Sequence, residues 1–350
     1  MRKELNRKLC DWMLERLEHL INTPSPTGFT QQVEEVLCNT LLDMGLEPWQ
    51  SNKGTVFCAL NPEASGEGLL LSAHIDTLGL MVRSLKSNGR LRTTTLGGFP
   101  LNYVEQENVT VWTRDGKHYE GTYRLNEPAT HGSREVATIE RNDKTMEVVL
   151  DSPVYSKDDT KQLGIQAGDP ISLDPRFRRT ENGYIKSRHL DDKASSAVLL
   201  TIAKAFADGT LHSSRPIYIM FTKYEEVGHG ASSAHPDGIT DMIAVDMGVV
   251  ADDLETNEDK VSICAKDSSG PYDYALTTAL IETAQQAGID YAVDIYPFYG
   301  SDAGAALSAG YDYRHALIGP GVAASHGYER THEKGLWNTY QLLVEFLKKQ

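Results

Sequence analysis

Basic charge, paired cysteines and long apolar runs are what this sequence lacks, and each absence excludes a class. Lysine and arginine number 34 against 49 aspartate and glutamate residues, a formal net charge of −15. A chain that acidic repels phosphate backbones and anionic bilayers, so neither nucleic acid nor a membrane is an expected partner. No apolar stretch approaches the length needed to span a bilayer. Residues 1–21 mix Leu with Glu and Arg, where a secretory leader needs an uninterrupted apolar segment. Cysteine occurs four times (Cys10, Cys38, Cys58, Cys264), with no Cys-x-x-Cys pair and no framework spacing. That usage fits small buried hydrophobes in a reducing cytoplasm. Internal repeats and low-complexity segments are also missing.

What is present is ordinary globular material: 350 residues, 40% hydrophobic and 24% charged, enough for two domains with a sizeable core. Helical spacing over residues 2–21 ends at the turn cluster Thr23-Pro24-Ser25-Pro26-Thr27-Gly28. A second helix is predicted over 30–44, with Thr30 as N-cap and Gly45 as the stop. Strands follow at 56–60 and 69–73, the latter continuing through Gly79-Leu80-Met81-Val82. From 84 to 177 the texture changes to short alternating runs (109–113, 118–123, 146–150, 170–173) separated by Gly, Asp and Asn, which suggests a small all-β module. Strand–helix alternation then resumes, with helices at 192–207, 273–287, 302–309 and 336–349 and strands at 216–222, 242–246 and 292–296. The expected plan is an α/β domain, 1–83 and 178–350, whose mostly parallel sheet is flanked by helices. A small all-β domain, 84–177, is inserted into it.

Acids and histidines recur just after the apolar runs. Leu69-Leu70-Leu71-Ser72-Ala73 delivers His74 and Asp76, Ile217-Tyr218-Ile219-Met220-Phe221 delivers Glu225 and Glu226, and Ile243-Ala244-Val245 delivers Asp246. Asp191-Asp192 opens an alanine-rich helical stretch, and His326 stands near the C-terminus. Open α/β sheets bind ligands beyond the carboxyl ends of their strands, so residues this far apart can converge. Gathered carboxylates and imidazoles mark a hard or borderline divalent metal site.

Each piece also has an ordinary reading. His74 and Asp76 share a face of the strand end, and a ligand imidazole needs its second nitrogen held, a task Asp76 is near enough to help with. The pair equally fits a strand histidine with an incidental acid. Asp191 fits a helix N-cap, with Asp192 as its rival; as a ligand, its two oxygens can bridge two ions, which no imidazole can do. Glu225 and Glu226 adjoin at the end of a buried strand, where two acids repel each other and cost free energy to desolvate unless cations or donors surround them. One can grip metal while the other faces water, as metal-assisted hydrolysis needs; a solvated loop pair is the alternative. Asp246 also fits a solvated strand end. His326 has His332 as its rival. His229 follows the Glu pair too closely, and His235 precedes Pro236. The ordered set is far more specific than any member.

The chain resembles the tetrahedral aminopeptidase and glutamyl aminopeptidase family, family forty-two of the metallopeptidases, along essentially its whole length. The resemblance is carried by Pro24-Ser25-Pro26-Thr27-Gly28, Ala73-His74-Ile75-Asp76-Thr77-Leu78-Gly79-Leu80-Met81-Val82, Asp191-Asp192-Lys193, Glu225-Glu226-Val227-Gly228, Val245-Asp246-Met247-Gly248 and Gly300-Ser301-Asp302-Ala303. It implies a zinc-aminopeptidase-like fold and two divalent ions per subunit, Zn2+ or Co2+, bridged by Asp191. One ion would take His74 and Glu226 or Asp246, and the other the remaining acid and His326. Glu225 would be the general base and Asp76 the partner behind the ligands. It also implies that the inserted β domain dimerises, and that the subunits form homo-oligomers up to dodecameric cages. Two departures stand out. Asp-Asn-Arg is common in the family where this chain has Asp191-Asp192-Lys193, and Ser-Pro usually follows the last histidine where this chain has Gly327-Tyr328. The stretch Tyr328-Glu329-Arg330-Thr331-His332 resembles a subgroup linked to biosynthesis of the osmoprotectant N-acetylglutaminylglutamine amide, which does not establish a substrate.

The expectation is therefore a cytoplasmic, dinuclear-metal aminopeptidase acting on short peptides, with Glu225 as the base. An amidase or deacylase on the same centre is the enzymatic alternative, distinguished by whether a free α-amino group is required. A non-catalytic regulatory or binding homologue is the other, and the intact set of acids speaks against it.

Overall fold

Four apolar runs set the centre of the molecule. Ile217–Thr222, Gly68–His74, Ile239–Val245 and Arg314–Val322 lie side by side in that order and run parallel. Nearly all of their residues are buried, as strands covered on both faces require. The computed structural model from which this is read describes residues 6–350, so the start of the first helix expected at residue 2 lies outside the described residues. Val56–Ala59 and then Pro48–Gln50 extend the sheet antiparallel on one side. Val261–Lys266 (antiparallel) and Tyr291–Ile295 extend it on the other, and Gly248–Val249 pairs alongside Arg314–Val322.

The period of two along each strand sorts its side chains between two cores. Leu69, Leu71 and Ala73 enter the larger core. There they meet apolar stripes of helices α1 (Arg7–Asn22), α2 (Gln31–Asp43), α4 (Leu190–Ala207), α5 (Tyr274–Ala287) and α7 (Glu333–Leu347); α3 (Lys157–Gln162) belongs to the insertion. Leu70, Met242 and Leu317 point the other way, against Ala303 and Ala306 of α6 (Asp302–Ser308). The α/β sandwich predicted from the alternation of strands and helices is the one observed.

The inserted module is a closed barrel. Its strands follow the order Gly79–Leu85, Leu91–Leu96, Met146–Leu150, His118–Leu125, Glu107–Trp112 and Pro170–Leu173, around a core that includes Leu80, Val82, Val109, Val111, Tyr123, Val148 and Ile171. Closure leaves no unpaired strand edge. One sequence expectation is corrected here: Gly79-Leu80-Met81-Val82 does not continue the strand that ends at His74. It opens the barrel instead, because an apolar run does not say which sheet it joins.

Besides the short Pro48–Gln50 and Gly248–Val249, two strands of the main sheet had no counterpart in the sequence reading, Val261–Lys266 and Arg314–Val322. Arg314–Val322 contains Gly319-Pro320-Gly321, which reads as a turn. The glycines serve close packing: a Cβ on Gly319 would lie 1.7 Å from the Asp246 carbonyl oxygen, and one on Gly321 would lie 2.1 Å from that of Asn257. Among the described residues no helix is long and apolar enough to cross a membrane, and all four cysteines are free.

A buried ion pair anchors the end of the Ile217–Thr222 strand. Lys223 Nζ meets Glu34 Oε1 at 2.7 Å, with both side chains buried, and Glu34 also accepts from Thr30 Oγ1 and Gln50 Nε2. Removing the acid alone would leave a buried ammonium without its partner. Glu34→Ala is therefore expected to cost about 3–5 kcal/mol, whereas Glu34→Leu combined with Lys223→Met should recover most of that. Urea unfolding checks this; equal midpoints for Glu34→Ala and the parent would contradict it.

Candidate metal centre

The four parallel strands deliver their acids and histidines to one edge. His74 ends its strand, Asp246 follows Val245, and Glu225-Glu226 follow Thr222 after a turn in which Tyr224 has φ 70°. Ser325 and His326 lie beyond Val322, with Ala324 at φ 58° and His326 at φ 64°. Asp191 and Asp192 sit at the entry of α4 with non-helical backbone angles, so the regular helix starts after them. Left-handed backbone at non-glycine residues costs about 1–3 kcal/mol each and gathers where a side chain must be aimed.

The result is a compact cluster beside a cleft of about 900 Å³ that Asp191, Glu225, Glu226, Asp246 and His326 line. His74 Nε2 lies 3.1 Å from Asp191 Oδ1 and 3.7 Å from Glu225 Oε2. His326 Nε2 lies 3.5 Å from both Asp191 Oδ2 and Glu226 Oε2. Asp191 thus turns one oxygen to each histidine. Among the described residues, two overlapping groups have ligand atoms close enough to share an ion: His74, Glu225 and Asp246, and His74, Asp191 and Glu226.

Both rivals are placed elsewhere. Asp192 is fully buried, and its Oδ2 accepts the His74 backbone N–H at 3.2 Å. His332 caps α7 by accepting from Lys334 N, and its Nε2 pairs with the Asn182 carbonyl. His229 stacks on Tyr224, and His235 lies against Tyr311.

Asp76 supports the cluster in a way the sequence did not specify. Its backbone carbonyl takes the His74 Nδ1 contact at 2.9 Å, while its carboxylate accepts the Glu225 N–H at 3.1 Å and the Thr27 hydroxyl at 2.7 Å. Glu329 was missed altogether. Buried at 1% exposure, it accepts the backbone N–H of Asp191 at 3.2 Å and of His326 at 3.1 Å, joining two distant segments. Its only sequence trace is its position three residues after His326. Gly98, in the inserted module, accepts from His326 Nδ1 at 2.6 Å, and no motif marks it.

Electrostatically the cluster is under-neutralised. Burial, reinforced by the Asp191 charge, pushes Glu226 up to about 8 and Asp246 up to about 7. Burial also raises Glu225, with repulsion from Asp246, Asp302 and Glu226 adding to it. Asp191 goes the other way: burial opposes its charge, but hydrogen bonds from His326 and His74 hold it well below the usual carboxylate range. His326 rises to about 10, since its contact with Asp191 outweighs the effect of burial. Glu226 Oε1 and Asp192 Oδ1 are buried without a hydrogen-bond partner. Orphaned carboxylate oxygens beside imidazole nitrogens, with no thiolate, fit hard or borderline divalent cations.

Comparison with known proteins gives the family and the fold. A family model described as M42 glutamyl aminopeptidase matches residues 54–342. The chain is 41% identical to YhfE of Bacillus subtilis (strain 168), a candidate aminopeptidase, over 96% of this chain and 97% of that one. Its fold is similar to that of a TET aminopeptidase from a marine sediment Thaumarchaeota archaeon, with TM-score 0.86, 22% identity, and 96% and 97% of the two chains covered. It is also similar to the TET1 peptidase of Pyrococcus horikoshii, which can assemble into a tetrahedron or a large octahedral shell, with TM-score 0.85, 22% identity, and 97% and 100% covered.

Ligation requires deprotonated donors, yet Glu226, Asp246 and His326 hold protons near neutral pH at about 8, about 7 and about 10. Metal uptake should therefore release protons, and affinity should rise as the pH goes from about 6 to about 10. Calorimetric Zn2+ titration in buffers of different ionisation enthalpy measures the release. An apparent heat independent of the buffer would contradict the assignment of these groups.

Proposed function

The chain belongs to the M42 glutamyl aminopeptidase family and is a metal-dependent aminopeptidase; we propose that it removes single residues from the free N-terminus of short peptides, using two divalent ions. The observation that carries this reading is the convergence of His74, Asp191, Glu225, Glu226, Asp246 and His326 at the carboxyl edge of four parallel strands. Asp191, with one oxygen toward each histidine, is the proposed bridge. His74 and Asp246 would complete one ion's ligands, and Glu226 and His326 the other's. Bound there, Zn2+ or Co2+ would polarise the scissile carbonyl and lower the pKa of water.

The chain's own residues supply the rest. Glu225, held through its backbone N–H by Asp76, is the proposed base: its carboxylate takes the proton of the attacking water and returns it to the leaving amine. The carboxylate-rich cleft suits the substrate's α-ammonium, and holding that group fixes the first peptide bond in register for attack. The inserted β domain, residues 84–177 in the sequence reading, is proposed as the surface on which two copies pair. That the Pyrococcus horikoshii protein assembles into shells supports pairing between copies.

Hydrolysis should require a free N-terminus and stop on exhaustive chelation. A short peptide and its N-acetylated form, followed by mass, make the test; equal rates would promote the amidase reading. In the same assay Glu225→Gln should keep its metal and lose about 10² or more in turnover, whereas Glu226→Gln should lose metal. The reverse pattern would exchange their roles. Sedimentation at micromolar concentration should show a dimer or a larger species, and a monomer there would remove the pairing role of the β domain.

A further inference from the structure

Resting on the aminopeptidase reading, we propose that the cleft selects peptides whose first side chain is apolar, aliphatic or aromatic, over those beginning with an acidic or a basic residue. Away from the metal-binding cluster, small uncharged side chains make up much of its wall, together with the rings of Tyr103 and Tyr299. Gly304, Ala305 and Ser308 follow one another along one side of α6, at spacings of one and three residues, and all three line the cleft. Val249 and Ser269 line it too, with the Phe298 ring, 99% exposed, at the rim. A Cβ on Gly304 would come within 3.2 Å of Ser269 Oγ, so glycine at that position lets the two walls approach without crowding.

An acidic side chain finds no cation on this surface, and away from the metal-binding cluster a basic one finds only Asp302. Among the described residues no lysine or arginine lines the cleft. The nearby Lys53 is committed, donating its ammonium to the carbonyls of His229 and Gly230. Asp302, where α6 begins, is committed as well: one carboxylate oxygen accepts from the Thr222 hydroxyl and the other from the Ala231 N–H. A substrate carboxylate placed there would be desolvated without compensation, and an ammonium would meet a single carboxylate whose oxygens are already engaged, whereas an apolar side chain gains by leaving water. The cleft volume of about 900 Å³ leaves room for an aromatic ring.

The metal-loaded enzyme would be assayed on leucyl-, phenylalanyl-, glutamyl- and lysyl-p-nitroanilide. The apolar pair should exceed the charged pair by about tenfold or more in kcat/KM. Glutamyl or lysyl turnover at or above leucyl would overturn the inference and leave the aminopeptidase reading standing; no turnover on any of the four would overturn both. Ala305→Lys places a cation on the wall, and Ser308→Arg does the same from an exposed position that tolerates substitution. Each should raise the glutamyl-to-leucyl ratio by about tenfold or more. An unchanged ratio in both variants would show that this wall does not meet the substrate side chain.

Discussion

Repulsion among buried carboxylates is the constraint around which this molecule is organised. Asp191, Glu225, Glu226 and Asp246 face one another across a few ångströms, with only His74 and His326 to offset them. Left alone, such a group would splay apart or remain protonated. The fold holds it together by fixing backbone positions: Asp76 holds the N–H of Glu225, Glu329 those of Asp191 and His326, and Asp192 that of His74. A ring of acids is thus tethered by a second ring of acids that grip main-chain donors.

The buried lysines sharpen the point. Lys193 stands two residues from Asp191, yet its ammonium donates to the carbonyls of Leu20 and Thr23 at the end of α1. Burial drops it to about 7. Lys223 stands two residues from Glu225 and pairs with Glu34. Both cations nearest in sequence are turned toward the scaffold, which leaves the acids of the cluster without either of them.

Much of this was legible in the sequence for a physical reason. Strands buried on both faces must be wholly apolar, so a polar residue at their end is conspicuous; His74, Glu225, Glu226 and Asp246 could be picked out on that ground. Asp191 could be singled out only beside its rival Asp192, since a helix N-cap looks the same. Glu329 and Gly98 were invisible because they act through main-chain contacts between segments distant in sequence. The Arg314–Val322 strand hid behind Gly319-Pro320-Gly321, residues chosen for close approach to neighbouring backbone and not for strand propensity. The Gly79–Leu85 run was recognised as a strand but given to the wrong sheet, since apolarity carries no address.

An inserted module is ordinarily free to be lost, lengthened or exchanged, provided the host's ends still meet. The hydrogen bond from His326 to the Gly98 carbonyl removes that freedom on one side of the barrel, and the buried pair between Arg188 and Glu107 removes it again next to α4. Residues 97–107 are therefore tied to the host domain, although they lie inside the insertion. Only the far side, where much of 126–145 is exposed, is at liberty to diverge. A change on the near side of the barrel must therefore be matched by one in the host.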